Sequence, residues 1–427
     1  MPDGGPLQGA LIDVDVGAPA HGGSCVARHD GRVVFVRHAL PGERVRARIT
    51  EDRGGAYCRA DAVEVLVSSP DRVQPPCAHA GPGRCGGCDW QHASASAQRE
   101  IKAAIVLEQF ARLAGIDLAA EFDGVEALEG GLLGWRSRIT FAVDGGGRPG
   151  LHRHRSADIE AIEACPLGIE GVGDSPALQR RWPGRTGVEV VRSGGSISVI
   201  EHLPGSGRQA RGRRPPDRVK VVQGPARLSH RIGERQYSVA AQGFWQVHPA
   251  AAAALAQALL DAVSPQPGER VLDLYAGAGA LTAVFADAVG TTGQVIGIET
   301  SRQAVADAAD NLRDLPWAQM SRARVDADLL RSLEFRPDVV VLDPPRAGAG
   351  REVMAAILGM RPRAVGYVSC DPASLARDVR VAVDQGWQLN ALRGVDAFPM
   401  THHIECVAHL VAPAGRQVRP ESGDSSD

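Results

Sequence analysis

From residue 245 onward, short apolar runs rich in β-branched residues alternate with segments of helical periodicity. "RVLDLYAG", "QVIGIET", "PDVVVLDPP" and "RAVGYVSCDP" are such runs, and "LTAVFADAV", "SRQAVADAADNL", "GREVMAAILGM" and "SLARDVRVAVDQG" separate them. A strand apolar at successive positions is buried on both faces, which helices packed on either side of a parallel sheet achieve. The pattern predicts an α/β fold with a doubly wound, Rossmann-like domain over 241–414. A polar tail, 415–427, is expected to be disordered.

The upstream chain reads differently. Residues 10–67 alternate apolar and polar positions in short runs broken by Gly, Pro and Asp-Gly turns, which predicts a small OB-like β-barrel domain over 1–68. A cysteine-rich stretch at 75–92 and the helix-patterned "SASAQREIKAAIVLEQFARLAG" open a central mixed α+β domain, 69–240. Within it, the Gly/Arg/Pro stretch at 204–217 is expected to be a long flexible loop. Three domains suit 427 residues. No apolar run approaches the roughly 18 residues of a membrane span, and the N-terminus has no basic stretch leading into an apolar one. The chain is therefore expected to be cytoplasmic and unanchored, and to act as a monomer without an obligate protein partner. A net charge of -3 does not advertise a nucleic-acid binder, yet "RPGLHRHR" (148–155) and "GRQARGRRPPDRVK" (207–220) are basic enough to track phosphates.

"VLDLYAGAGALT" (271–282) places Gly277 and Gly279 between a strand and a helix, and Glu299 closes the next strand. Such glycines let the backbone approach a ligand, and the acid can bind both hydroxyls of a ribose. NAD sites share this outline. Two details favour S-adenosylmethionine. Asp273 would repel a pyrophosphate but can accept hydrogen bonds from the amine-bearing methionine end, and Thr282 stands where a third glycine would be. "VVVLDPPRAG" adds Asp343 at the same sheet edge. Methyltransferases acting on exocyclic amines carry an aromatic residue where this chain has Arg346, which leaves carbon as the target.

Carbon 5 of uracil becomes nucleophilic only after a thiolate adds to carbon 6, and a base must later remove the carbon-5 proton. That chemistry requires one cysteine and one base near one cofactor. Cys370 ends the strand "RAVGYVSC", and "THHIECVAHL" supplies Glu405, an acid whose apolar flanks make it costly unless it is used. Cys406, one residue on, is expected to face the other way and pack.

Taken together, "DGRVVFVRHALPGE", "CAHAGPGRCGGCDWQH", "GWRSRITF", "QGFWQVHP", "DLYAGAGALT", "VLDPPRAG", "VSCDP" and "HHIECV" resemble, over nearly the whole chain, the bacterial RNA uracil-5-methyltransferase family. The resemblance implies a TRAM-type RNA-binding barrel, Cys370 as nucleophile, Glu405 as base, and an S-adenosylmethionine site lined by Gln246, Tyr275, Glu299 and Asp343. Asp326 would meet the adenine end. The implied substrate is a uridine in RNA, 23S rRNA favoured over tRNA. A rival reading is a non-catalytic RNA-binding or assembly factor, which has no use for Cys370 and Glu405 together. Ala280 departs from the polar residue common in the family, which bears on cofactor affinity more than on reaction type.

Cys77, Cys85 and Cys88 form C-x7-C-x2-C. Four thiolates can hold zinc or an iron-sulfur cluster, and spacing alone does not decide. The resemblance adds Cys165 as fourth ligand and favours a [4Fe-4S] cluster over zinc, although the first spacing is wider than usual in the family. Uracil methylation needs no electron, so a structural role is expected.

Overall fold

The computed structural model describes residues 7–118, 120–205 and 217–413. Most of the loop expected at 204–217, and the tail expected at 415–427, lie outside the described residues. The chain divides into two compact units, one comprising residues up to 108 with 124–252 and 395–404, the other 109–123, 253–394 and 405 onward.

In the first unit, β1 (Leu11–Ala20), β2 (Ser24–His29), β3 (Arg32–Arg37), β4 (Arg44–Asp52) and β5 (Tyr57–Val67) close into a barrel in the order β1-β2-β3-β5-β4. Period-two alternation builds its core: Ile12, Val14 and Val16 of β1 and Val45, Ala47 and Ile49 of β4 are buried. The Asp30-Gly31 turn has both residues at positive φ, 47° and 78°, the primed-turn geometry that matches the twist of paired strands. Arg32 forks onto Asp52 at 2.7 and 3.0 Å.

Helix α1 (Ala95–Gln109) and a short strand, β6 (Phe122–Ala127), precede an antiparallel six-stranded sheet. Its strands are β7 (Arg138–Val143), β8 (Pro149–His152), β9 (Ile159–Ala161), β10 (Gly187–Ser193), β11 (Ser196–Leu203) and β12 (Arg218–Gln223), in the order β12-β11-β10-β7-β8-β9. Phe141, Val188, Val190 and Val199 form a core separate from that of the barrel. The basic run at 148–155 is not a bare row of cations, because Arg148 pairs with Asp144 at 2.9 Å and Arg153 with Glu160 at 3.0 Å. A hairpin of β13 (Arg227–Ile232) and β14 (Arg235–Ala240) completes this region.

After α2 (Ala251–Val263), strands and helices alternate as the apolar pattern predicts. The strands are β15 (Arg270–Leu274), β16 (Gln294–Glu299), β17 (Ala318–Arg322), β18 (Val339–Leu342) and β19 (Ala364–Ser369), all parallel. Between and after them lie α3 (Ala280–Val289), α4 (Arg302–Asn311), α5 (Ala327–Ser332), α6 (Arg351–Gly359) and α7 (Pro372–Val383), then β20 (Gln388–Asp396) and β21 (Glu405–Val411). The sheet runs β17-β16-β15-β18-β19-β21-β20-β6, with β21 antiparallel to β19. The chain winds outward from β15 in one direction and from β18 in the other, so the switch point lies between these two strands, where open α/β sheets bind ligands beyond the carboxyl ends. Among the described residues no helix is long and apolar enough to cross a membrane.

Candidate active site

Beyond those carboxyl ends a cavity of about 540 Å³ opens, lined by Tyr275, Glu299, Arg324, Asp326 and the Ala347–Gly350 loop. Its volume falls in the range of small-molecule sites. Tyr275 turns the chain out of β15 with φ 63°, a left-handed conformation that costs an aromatic residue about 1–2 kcal/mol. Glu299 is fixed by two backbone donors, the N–H of Gly277 at 3.1 Å and of Ser301 at 2.6 Å. Asp326 caps α5 by accepting from the Leu329 N–H at 2.9 Å. Gly279 adopts φ +79°, and a Cβ there would lie 3.0 Å from that of Ala308, so the close approach of α3 to α4 needs a glycine.

Of the residues expected to meet the cofactor, Tyr275, Glu299 and Asp326 line this cavity, and Gly277, Asp343, Asp273 and Gln246 do not. Asp273 does not line the cavity; it is wholly buried, and its Oδ2 accepts the hydroxyl of Thr282 at 2.6 Å. The threonine that replaces a third glycine thus reaches back to the acid beneath the turn. Burial pushes the Asp273 carboxyl up to about 7, against the Thr282 hydrogen bond. Gln246 follows β14 in the first unit and is also absent from the cavity lining. Asp378 on α7, which the sequence reading did not single out, holds the cavity loop. Its carboxylate accepts the Ala349 N–H at 2.8 Å, the Gly350 N–H at 3.1 Å and the Tyr367 hydroxyl at 2.7 Å. The signal was present, since Asp371 and Asp378 stand seven residues apart on one face of a helix.

Cys370 lies between β19 and α7 and is partly exposed. Asp371 caps α7 by accepting the Ser374 N–H at 2.7 Å, and Pro372 opens the helix, so the strand ends abruptly at the thiol. In the antiparallel pairing of β19 with β21, Ser369 lies opposite Cys406. Cys370 directly follows the first member of this pair and Glu405 directly precedes the second. Glu405 is 3% exposed and its Oε2 has no hydrogen-bond partner. Burial first, then the charge of Asp343, raises its carboxyl well above the usual range, while Arg346 opposes the shift. Asp343 is partly exposed as a residue, but its carboxyl is enclosed enough for desolvation to push it up to about 7. Burial, then the neighbouring Glu405, pushes the Cys370 thiol up to about 11, with Arg346 pulling it down. Cys406 is wholly buried, and burial raises it far more. A thiol, an orphaned buried acid and an arginine therefore share one electrostatic environment at the sheet edge.

The comparisons with known proteins bear on this geometry. The TRAM domain family matches residues 7–63. The protein-L-isoaspartate(D-aspartate) O-methyltransferase (PCMT) family matches residues 231–329, a span that includes β15 to β17 and stops short of Asp343, Cys370 and Glu405. An uncharacterized RNA methyltransferase of Streptomyces avermitilis is 42% identical over 96% of this chain and 100% of its own length. The 23S rRNA (uracil(1939)-C(5))-methyltransferase RlmD of Alkalilimnicola ehrlichii is 30% identical over 93% of this chain and 96% of its own. The chain belongs to the RNA uracil-5-methyltransferase family. It is an RNA methyltransferase with a class I, S-adenosylmethionine-dependent fold. The Pyrococcus abyssi tRNA (uracil-54, C5)-methyltransferase in complex with S-adenosyl-L-homocysteine shares that fold, with a TM-score of 0.68 at 20% identity, over 93% of this chain and 99% of the other.

In the first unit of the methyltransferase, Cys77, Cys85, Cys88 and Cys165 line one cavity of about 70 Å³. Gln91 clips two of them together: its Nε2 donates to the Cys88 sulfur at 3.1 Å and its Oε1 accepts the Cys77 N–H at 3.1 Å. The Gly87 N–H donates to the Cys85 sulfur at 3.4 Å. Among the described residues, no three His, Cys, Asp or Glu side chains converge as a single metal ion requires.

Proposed function

We propose that the enzyme methylates carbon 5 of a uridine in RNA, with 23S rRNA favoured over tRNA, through a covalent adduct of Cys370. The observation that supports this reading is the pairing of β19 with β21, which sets Ser369 opposite Cys406, the chain neighbours of Cys370 and of the buried acid Glu405, whose Oε2 has no partner. Tyr275, Glu299 and Asp326 fit S-adenosylmethionine, the carboxylate of Glu299 being fixed at the end of β16 where a ribose is bound in such folds. Bound there, the cofactor supplies an electrophilic methyl group. Cys370 adds its sulfur to carbon 6, and the displaced π electrons make carbon 5 nucleophilic. After methylation, Glu405 takes the carbon-5 proton; the C–H pair reforms the double bond and the C6–S pair returns to sulfur. Arg346 favours the anionic form of Cys370, and burial, followed by the charge of Asp343, raises the proton affinity of Glu405. The 23S preference rests on the activity named for the Alkalilimnicola relative.

The reading is tested by nucleoside mass spectrometry of rRNA and tRNA incubated with the enzyme. 5-Methyluridine in 23S rRNA is the expected product; a methyl group on a ribose or an exocyclic nitrogen contradicts the chemistry, and 5-methyluridine in tRNA alone contradicts the preference.

The four thiols suit a [4Fe-4S] cluster. Backbone and amide N–H groups donate to two of the sulfurs, a common support for cluster thiolates. Bound iron with a broad absorbance near 400 nm is expected, and stoichiometric zinc in a colourless protein would overturn the assignment.

A further inference from the structure

A cavity of about 260 Å³ lies wholly within the first unit, lined by residues of β5, of the chain leaving β3 and of the cysteine-rich stretch. Val63, Pro75 and Pro82 give it apolar walls, and two histidines, His38 and His92, line it as well. His92 is 4% exposed, and among the described residues neither its Nε2 nor that of His38 has a hydrogen-bond partner. Buried ring nitrogens are normally paired, so two orphans lining one cavity mark a place where a ligand supplies the missing partners. His38 is held at φ 62°, a left-handed conformation that its surroundings must impose, and Arg72 donates to its carbonyl at 2.8 Å. The Trp90 indole packs against the His92 ring with 5.9 Å between centroids.

The chemistry of the walls limits what can enter. Arg72 lines the cavity, but its guanidinium is committed to Glu43 at 2.6 and 2.7 Å; the buried acid Asp89 is committed to His402 at 2.7 Å and Arg37 at 3.4 Å. Burial, then the charge of Arg37, pushes the His38 ring down to about 3, and burial, then Arg72, pushes His92 down to about 4. Both rings are therefore neutral at physiological pH, and a phosphate would find no uncommitted cation among the described lining residues. The Ala39 backbone accepts a hydrogen bond from the His92 ring. A neutral imidazole has a single N–H, so Nε2, the nitrogen without a partner, carries a lone pair and calls for a donor. Apolar walls and a buried lone pair suit an uncharged flat ring with an N–H donor, which in RNA is a base turned out of its stack.

We propose that this cavity captures an unstacked adenine or cytosine of the RNA, its exocyclic amine donating to His92 Nε2. Both bases set a ring-nitrogen acceptor beside that amine, and His38, in the tautomer that protonates Nε2, donates to it. Uracil has no such amine, so the cavity selects a base other than the one methylated. The inference rests on the chain acting on RNA and is independent of which atom it methylates, so its failure leaves the uracil chemistry standing.

The test measures binding of single-stranded RNA hexamers to the full-length enzyme, at a salt concentration high enough to mute phosphate contacts. Adenosine is compared with purine riboside, which lacks only the amine, and cytidine with uridine. Wild-type enzyme should prefer the amine-bearing hexamer of at least one pair about fivefold, the scale of one hydrogen bond. His92→Phe keeps a ring and loses the nitrogen, and should bind both members of that pair alike; His38→Phe should weaken the preferred hexamer by a similar factor. In enzyme labelled with nitrogen-15 histidine, the preferred hexamer should move the ring-nitrogen resonances of His38 and His92, identified by their loss in the variants. No preference in either pair, a preference that survives in His92→Phe, or resonances that stay in place would overturn the proposal and leave the cavity to ordered water. If His92→Phe does not fold, judged by circular dichroism, His38→Phe and the labelled wild-type spectrum decide.

Discussion

Asp273 and Asp343 are carboxylates that burial holds near 7 instead of the model-compound 3.8. A carboxyl raised on folding binds more protons in the native state, so its stabilising contribution is complete below about pH 4 and is lost as pH rises through about 7. Ionised and unaccompanied, such a group costs on the order of a few kcal/mol. Asp273→Asn keeps an acceptor for Thr282 and removes the charge. It should raise Tm over wild type at pH 8 and little at pH 5; a pH-independent difference would show that Asp273 does not titrate in this window. Arg346 bears on both reacting groups. Arg346→Gln should therefore shift the rate–pH profile of adduct formation upward, and an unmoved profile would remove the arginine from the account. Cys370, Glu405 and Asp343 were legible in the sequence because each ends or opens an apolar strand, where a polar group is conspicuous. The hydrogen bond between Asp89 and His402 was not, because it joins positions 313 residues apart.

Elements were legible where one period dominates. The alternation of β1 and β4 and the apolar runs of β15, β18 and β19 leave little choice of structure. The antiparallel return of β21 was not legible, since an apolar strand carries no mark of its direction. The cavity loop was equally hidden: "RAGAG" reads as a flexible turn, yet Asp378 fixes it through two backbone N–H groups and Tyr367. Asp378→Ala leaves the Gly350 N–H and the Tyr367 hydroxyl without their acceptor, while the Ala349 N–H keeps the Tyr367 oxygen at 3.0 Å, and should destabilise the protein by about 2 kcal/mol. It should also raise KM for S-adenosylmethionine more than it lowers kcat. Tyr367→Phe loses the bond donated to Asp378 and the one accepted from the Ala349 N–H, which keeps Asp378 as its acceptor, and should cost about 1 kcal/mol with a smaller rise in KM; a KM effect as large as that of Asp378→Ala would mean the loop is held by other means.

At the scale of the molecule, one unit carries the barrel and the four clustered cysteines, and the other carries the cavity, Cys370 and Glu405. The chain passes from one to the other between Ile404 and Glu405. Changes of hydrophobic period predict three domains, whereas the chain divides into two compact units, one of which holds both the barrel and most of the central region. The assignment of 395–404 to the first unit was not legible, because its anchors, Gln98 and Lys102, read as ordinary polar positions of an amphipathic helix yet are wholly buried. The central claim is that Cys370 bonds to carbon 6 of a uridine, and RNA containing 5-fluorouridine tests it directly. Fluorine at carbon 5 cannot be abstracted by a base, so the adduct formed after methyl transfer cannot resolve. With S-adenosylmethionine, wild-type enzyme should yield a denaturation-resistant protein–RNA complex carrying one methyl group, and Cys370→Ala should yield none. Active enzyme that forms no complex, or a complex that persists in Cys370→Ala, would contradict the account.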